Sequence, residues 1–177
     1  MTKAMPFSAF ARLLHWGMAA MIFAMLFIGV SMVVSVTHYA QLVAIHRPLG
    51  IAILTLAAIR LIYRIICPPP ALPVKMPIWQ KIAAHASHWL LYALMFALPL
   101  VGWSMLSAAK YPIILWTGWH LPPIVSANPL LAAELRTLHS ILAYLLFSVV
   151  MAHMAAAFMH ALVFKDGVFE SMARWRK

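Results

Sequence analysis

Between Arg12 and Arg47 the chain runs through residues 13 to 46, 34 in all, without one Asp, Glu, Lys or Arg. A helix needs about 20 apolar residues to cross a hydrocarbon core roughly 30 Å thick. A helix apolar on every side has no solvated face, so it must be enclosed by protein or by lipid. Three further segments of this kind follow. The four have approximate bounds 13–36, 46–66, 82–109 and 135–164. The second carries Arg60 and Arg64, but both fall in its last turns, where long basic side chains can snorkel to the interface. Hydrophobic residues make up 66% of the chain and charged residues 9%, against about 25% charged in ordinary soluble domains. Such a chain cannot cover a water-facing surface and must use lipid as solvent. The expected fold is an all-α integral membrane protein, a bundle of four transmembrane helices in one domain, 1–177.

The connections agree with that reading. Residues 67–81 contain five prolines and form an irregular loop. Residues 110–134 carry Pro112, Pro122, Pro123 and Pro129 with Tyr111, Trp116 and Trp119, which suits an interfacial cap with room for a short surface helix. The link at about 37–45 is short. The first apolar run follows Lys3 and Arg12 as a signal peptide would, but it is too long for a signal core and no small-residue cleavage site follows it. It is expected to be a retained span.

Orientation follows from the basic residues. One side would hold Lys3, Arg12, Arg60, Arg64, Lys75, Lys81, Lys165, Arg174, Arg176 and Lys177; the other Arg47, Lys110 and Arg136. Ten against three places both termini in the cytoplasm and the 110–134 loop outside. The formal charge of +10 is explained by this topology, so no nucleic-acid partner is expected. The single cysteine, Cys67, allows no internal disulfide, and the absence of Cys-x-x-Cys-His excludes covalent haem attachment of the usual kind.

Nine histidines remain to be placed. His38 and His120 fall in outward loops and are read as surface residues. Ionisable groups at membrane depth are rare and functional by default. In the fourth span His139 and His153 are 14 residues apart. That is four turns less about 40°, so both project from one face about 21 Å apart along the axis. One metal ion cannot bridge that gap, but two haems stacked at two depths can use it. Each haem needs a second ligand at matching depth. His15 opens the first span on the inner side, level with His153, and His46 opens the second on the outer side, level with His139. Two axial imidazoles leave no open position on iron, which suits outer-sphere electron transfer rather than oxygen activation. His85 and His88 open the third span on the inner side. They could compete for the inner haem, bind a haem propionate, or line a proton path to a quinone. His160, about 10 Å beyond His153 on nearly the same stripe, suits a quinone or propionate role. Small residues, Gly17, Ala19, Ala20 and Gly29 in the first span and Ala152, Ala155, Ala156 and Ala157 in the fourth, would allow close packing.

These residues lie in local motifs that together resemble the bacterial cytochrome b561 family. Arg12-Leu13-Leu14-His15-Trp16 is similar to its opening Arg-x-x-His-Trp. Ile45-His46-Arg47-Pro48-Leu49-Gly50 with Arg60 and Arg64 resembles its second span. His85-Ala86-Ser87-His88 with Tyr92 and Ala97-Leu98-Pro99-Leu100-Val101-Gly102 resembles its third. Leu138-His139 and Ala152-His153 through His160 to Lys165-Asp166-Gly167 resembles its fourth. The resemblance implies an inner-membrane cytochrome with two non-covalent b-type haems, whose axial ligands fall on His15, His46, His139 and His153, and which exchanges electrons with quinone. A member of the family is a superoxide oxidase. Carried over, superoxide would give up an electron on the periplasmic side, drawn by Arg47, Lys110 and Arg136. Ubiquinone would be reduced on the inner side, with Lys75, His85, His88 and His160 as candidates for the quinone and its protons.

Two other functions compete. The chain could be a relay or anchor subunit passing electrons between quinone and a periplasmic redox partner such as a dehydrogenase or hydrogenase, with the Trp-rich 110–134 loop as interface. It could also be a haem-free metal or proton transporter. That reading lacks membrane-embedded carboxylates, since Glu134, Asp166 and Glu170 all lie at or beyond span ends.

Overall fold

The computed structural model describes residues 6–74, 76–116 and 118–174. Four long helices dominate: α1 (Ala9–Val34), α2 (Tyr39–Ile66), α3 (Ile78–Ala108) and α4 (Pro129–Phe158). A π-helical segment, Met159–Phe164, extends α4, and a short α5 (Val168–Ala173) follows. All four long helices are long and apolar enough to cross a membrane. In lipid each backbone group must find its partner within the segment, and the helix does this for sequences of nearly any apolar composition.

Each helix starts before the charge-free segment that predicted it: at 9 rather than 13, 39 rather than 46, 78 rather than 82, and 129 rather than 135. The charged residue nearest a span does not set its end, and at α1 and α4 a capping side chain marks the start. The Ser8 hydroxyl accepts from Ala11 N at 3.2 Å, and Asn128 Oδ1 accepts from Leu131 N at 3.1 Å ahead of Pro129 in the first turn. The link expected at 37–45 is therefore mostly helix. It shrinks to residues 35–38, tied by Ser35 Oγ and His38 Nδ1 at 3.1 Å, and His46 lies about two turns inside α2 rather than at its start.

The backbones approach closely within the α1–α2 and α3–α4 hairpins and more loosely between them. A core of Met18 and Ile22, Ile53 and Ala57, Tyr92, Leu94, Met95 and Leu98, and Leu146 and Val150 fills the middle of the bundle. Elsewhere large apolar side chains point outward, Phe27, Val33, Ile62 and Leu162 among them, as a lipid-solvated surface requires. Gly17 and Gly29 of α1 face open space, since a Cβ added at either would meet nothing within 4 Å.

The 110–134 cap holds a small antiparallel hairpin in place of the expected surface helix. Ile114 pairs with His120, Leu121 N donates to Ile113 O at 3.0 Å, and Lys110 and Gly118 take positive φ at 60° and 77° to turn the chain. Its prolines rule out a continuous helix. The Trp103 indole donates to Pro122 O at 3.0 Å and anchors the hairpin to α3, leaving Trp116 and Trp119 exposed. At the opposite end the start of α1 and Phe7 just before it meet α5. Phe7 N donates to Ser171 O at 3.0 Å, the Trp16 indole donates to Met172 O at 3.2 Å, and the buried Arg12 guanidinium donates to Arg174 O.

Candidate functional site

On each helix the inward stripe carries histidine beside the apolar core. Along α4 it reads His139, Leu146, Val150, His153; along α2 it reads His46, Ile53, Ala57, Arg60. The spacing is that of one helix face, so the core separates two layers of histidine.

In the layer near the termini, the His15 and His153 rings are centred 6.4 Å apart with planes crossed at 67°. In the layer near the hairpin, His46 and His139 are 6.2 Å apart and crossed at 65°. A ring-to-ring hydrogen bond would bring the centres to roughly 5 Å, so neither pair is directly bonded. An imidazole nitrogen binds a first-row metal at about 2 Å and its ring centre lies roughly 1.2 Å farther, so two imidazoles on opposite sides of one iron have centres roughly 6.4 Å apart. Both pairs have that separation. Each also bridges the two hairpins, where the looser approach gives room for a flat macrocycle. His46 Nδ1 is buried without a hydrogen-bond partner, and His139 Nδ1 makes none of standard geometry, though the Leu98 carbonyl faces its ring. Gly102 forms the wall behind His139: a Cβ there would lie 3.2 Å from His139 Cε1. Pro48 and Pro99 interrupt the ladders of α2 and α3 beside this layer. The residues present therefore fit a bis-imidazole iron group at each layer.

Of the remaining histidines, His38 and His120 are exposed, as expected of surface residues. His85 is also exposed and stands apart from the two layers. His88 joins the termini-end layer, 5.3 Å from His153, and its Nδ1–H donates to Ala84 O at 2.6 Å. His160 Nδ1 contacts Asp166 Oδ2 at 2.7 Å, while Asp166 Oδ1 accepts from Val168 N at 3.1 Å. This dyad spans the π-helical turn, a kind of distortion frequent at functional sites. Lys75 lies outside the described residues, as do Lys3, Arg176 and Lys177 of the orientation count.

Three contacts escaped the sequence reading. Arg60 does not snorkel outward; its Nη2 lies 2.8 Å from His15 Nδ1 and its guanidinium stands over the Tyr92 ring. Asp166 orients His160, and the signal was its rarity, one of three acids in the chain. Gly102 makes room for His139, which a sequence shows only as one more glycine. At the hairpin end, Ala108, Ala109, Lys110, Ala127, Pro129, Ala132, Ala133 and Arg136 line a cavity of about 550 Å³.

Four membrane-length helices with half-buried imidazoles paired across two hairpins define a membrane protein suited to hold metal groups in its interior. The chain matches the family described as prokaryotic cytochrome b561 over residues 6–175, and it belongs to that family. It is thus a b-type haem protein of the bacterial inner membrane. It is similar to the probable superoxide oxidase CybB of Yersinia pestis, 35% identical over 129 residues covering 72% of each chain. It is also similar to cytochrome b561 homolog 2 of Escherichia coli strain K12, 30% identical over 89% of this chain and 86% of that one. Cytochrome b561 homolog 1 of the same organism is 30% identical over 75% and 74% respectively.

Proposed function

We propose that this single-domain chain carries two haems, one between His15 and His153 and one between His46 and His139, and that it oxidises superoxide at the periplasmic face while reducing ubiquinone near the cytoplasmic face. Both termini are then cytoplasmic. Bound there, the haems supply a one-electron path between the two layers. The observation that carries the reading is the cavity where Lys110 and Arg136 meet, because Arg136 lies one turn from His139 on α4. Two cations on the approach to a redox layer attract a small anion. The likeness to a relative named as a probable superoxide oxidase supports the same donor.

The reaction balances with two superoxide ions each giving up one electron and becoming dioxygen, and one ubiquinone taking up those two electrons and two protons. His160, held by Asp166, is the residue suited to pass protons to the quinone, because the carboxylate fixes the ring and leaves Nε2 to exchange. Lys75, His85 and His88 are the further candidates at that end. His88 carries its proton on Nδ1 and has Nε2 free to accept from water or from a quinol hydroxyl.

The decisive experiment generates superoxide enzymatically and follows ubiquinone reduction by the purified protein. Acceleration well above the protein-free rate is expected. A rate equal to the protein-free control would remove the superoxide reading. It would leave a relay for a periplasmic redox partner, which the exposed Trp116 and Trp119 of the cap favour.

Gly102 offers a separate check on the layer near the cap. A leucine there has no space beside the His139 ring, so Gly102→Leu should bring haem content down from two per chain to about one. Gly102→Ala, which needs a shift of a few tenths of an ångström, should keep both. Two haems retained by Gly102→Leu would count against His139 as a ligand.

A further inference from the structure

The termini end of the bundle gathers positive charge on Arg60 and Arg64, neither of which forms an ion pair among the described residues. Arg60 and Arg64 lie one turn apart on α2, and each guanidinium carbon is 5.9 Å from the centre of the Tyr92 ring. Arg60 also faces His15, His88 and His153, and Arg64 faces His88. Of the three acids of the chain, Glu134 lies near the start of α4, Asp166 is held on His160, and Glu170 lies in α5 at this same end; none forms an ion pair with Arg60 or Arg64. His160–Asp166 is the only ion pair among the described residues. Two neighbouring guanidinium groups at the edge of a low-dielectric interior repel each other and lose hydration, so an anion is needed to stabilise them.

The contact with His15 narrows what that anion is. Arginine can only donate, so His15 Nδ1 accepts from Arg60. An imidazole bound to iron through Nε2 carries its proton on Nδ1, where it too can only donate. The two donors are then opposed, and Arg60 needs another acceptor close to the same ring.

We propose that Arg60 and Arg64 bind the two carboxylates of the porphyrin held between His15 and His153, so that α2 supplies a clamp for a haem whose axial ligands come from α1 and α4. This rests on the ligand pairing proposed above. A planar guanidinium fork matches a carboxylate with two parallel hydrogen bonds. The buried Tyr92 ring, with both cations against it, fixes where the forks stand. The same positive charge beside the iron disfavours the ferric form, so the clamp also sets the potential of that haem.

The test compares full-length holoproteins: wild type, Arg60→Gln, Arg60→Lys, Arg64→Gln and His15→Ala. Haem transfer to excess apomyoglobin, the midpoint potentials, and retention of haem against its dimethyl ester are measured. Losing a charge-assisted hydrogen bond should make Arg60→Gln release one of its two haems about tenfold faster or more. The potential of that haem should fall while the other holds. Arg60→Lys, which keeps the charge, should lie between the two and also stands in if Arg60→Gln does not accumulate. Wild type should retain the dimethyl ester about tenfold less well than haem, and Arg60→Gln should lose that preference. Equal retention of haem and ester by wild type would overturn the clamp, as would unchanged release and potentials in Arg60→Gln and Arg64→Gln. If His15→Ala keeps both haems, the ligand pairing falls and the clamp with it. If His15→Ala loses one haem while wild type shows no preference against the ester, the clamp alone falls.

Discussion

Replacing His139 by alanine is expected to remove one haem per chain and to abolish electron transfer from the cap end to the termini end. The His139 ring stands 6.2 Å from His46 and no other imidazole is paired with either, so a small side chain leaves His46 without an axial partner. His153→Ala should remove the other haem, although His88, 5.3 Å from His153, lies close enough to compete for that place. A His153→Ala protein that keeps its full haem content, and loses it only when His88 is also replaced, would identify His88 as a substitute ligand. Haem-to-protein ratio and the α-band of the reduced protein decide this. Retention of both haems in His139→Ala would refute the pairing near the cap. Superoxide-driven quinone reduction should drop to the protein-free rate in either single variant that loses a haem, because the two layers are about 21 Å apart along α4 and one haem cannot serve both.

Charge reversal at the cavity should give the second large effect. In Lys110→Glu combined with Arg136→Glu the cavity changes from two positive to two negative charges. The second-order rate with superoxide should fall about tenfold or more at low ionic strength, within the range seen for electrostatic steering. The gap should narrow as salt rises, since the screening length is about 10 Å at 0.1 M. Reduction of the same protein by a neutral small-molecule reductant should be unchanged, which separates lost attraction from lost haem. Equal superoxide rates at low salt would mean that the anion does not enter past these residues.

Much of this architecture could be read from the residues. Long apolar runs with few charges marked all four helices, because lipid tolerates little else over such lengths. The depth of each histidine followed from helical rise, and the structure brings His15 to His153 and His46 to His139 as that arithmetic requires. Helix starts were misjudged because helices continue past the last charge, to the caps Ser8 and Asn128 in α1 and α4. Arg60 was misread because a long cation near a helix end can turn either way. The choice depends on the Tyr92 and His15 side chains of two other helices, which no local pattern reveals. Gly102 and Asp166 were missed for the same reason: each acts through one contact, with a ring on a neighbouring helix or across a π-turn.

The uneven packing of the helices has a consequence for biogenesis. The α1–α2 and α3–α4 hairpins are each closely packed, while the proline-rich stretch at 67–77 joins them. The molecule is hinged like a book, with the cofactors pressed between its covers. Each cover has what it needs to enter the bilayer as a unit, with its backbone bonds made within its own helices. With the ligand pairing proposed above, each iron position would take one imidazole from either cover, and haem would be the clasp. Metal loading then follows membrane insertion, and a cell short of haem would accumulate inserted hairpins that have not closed.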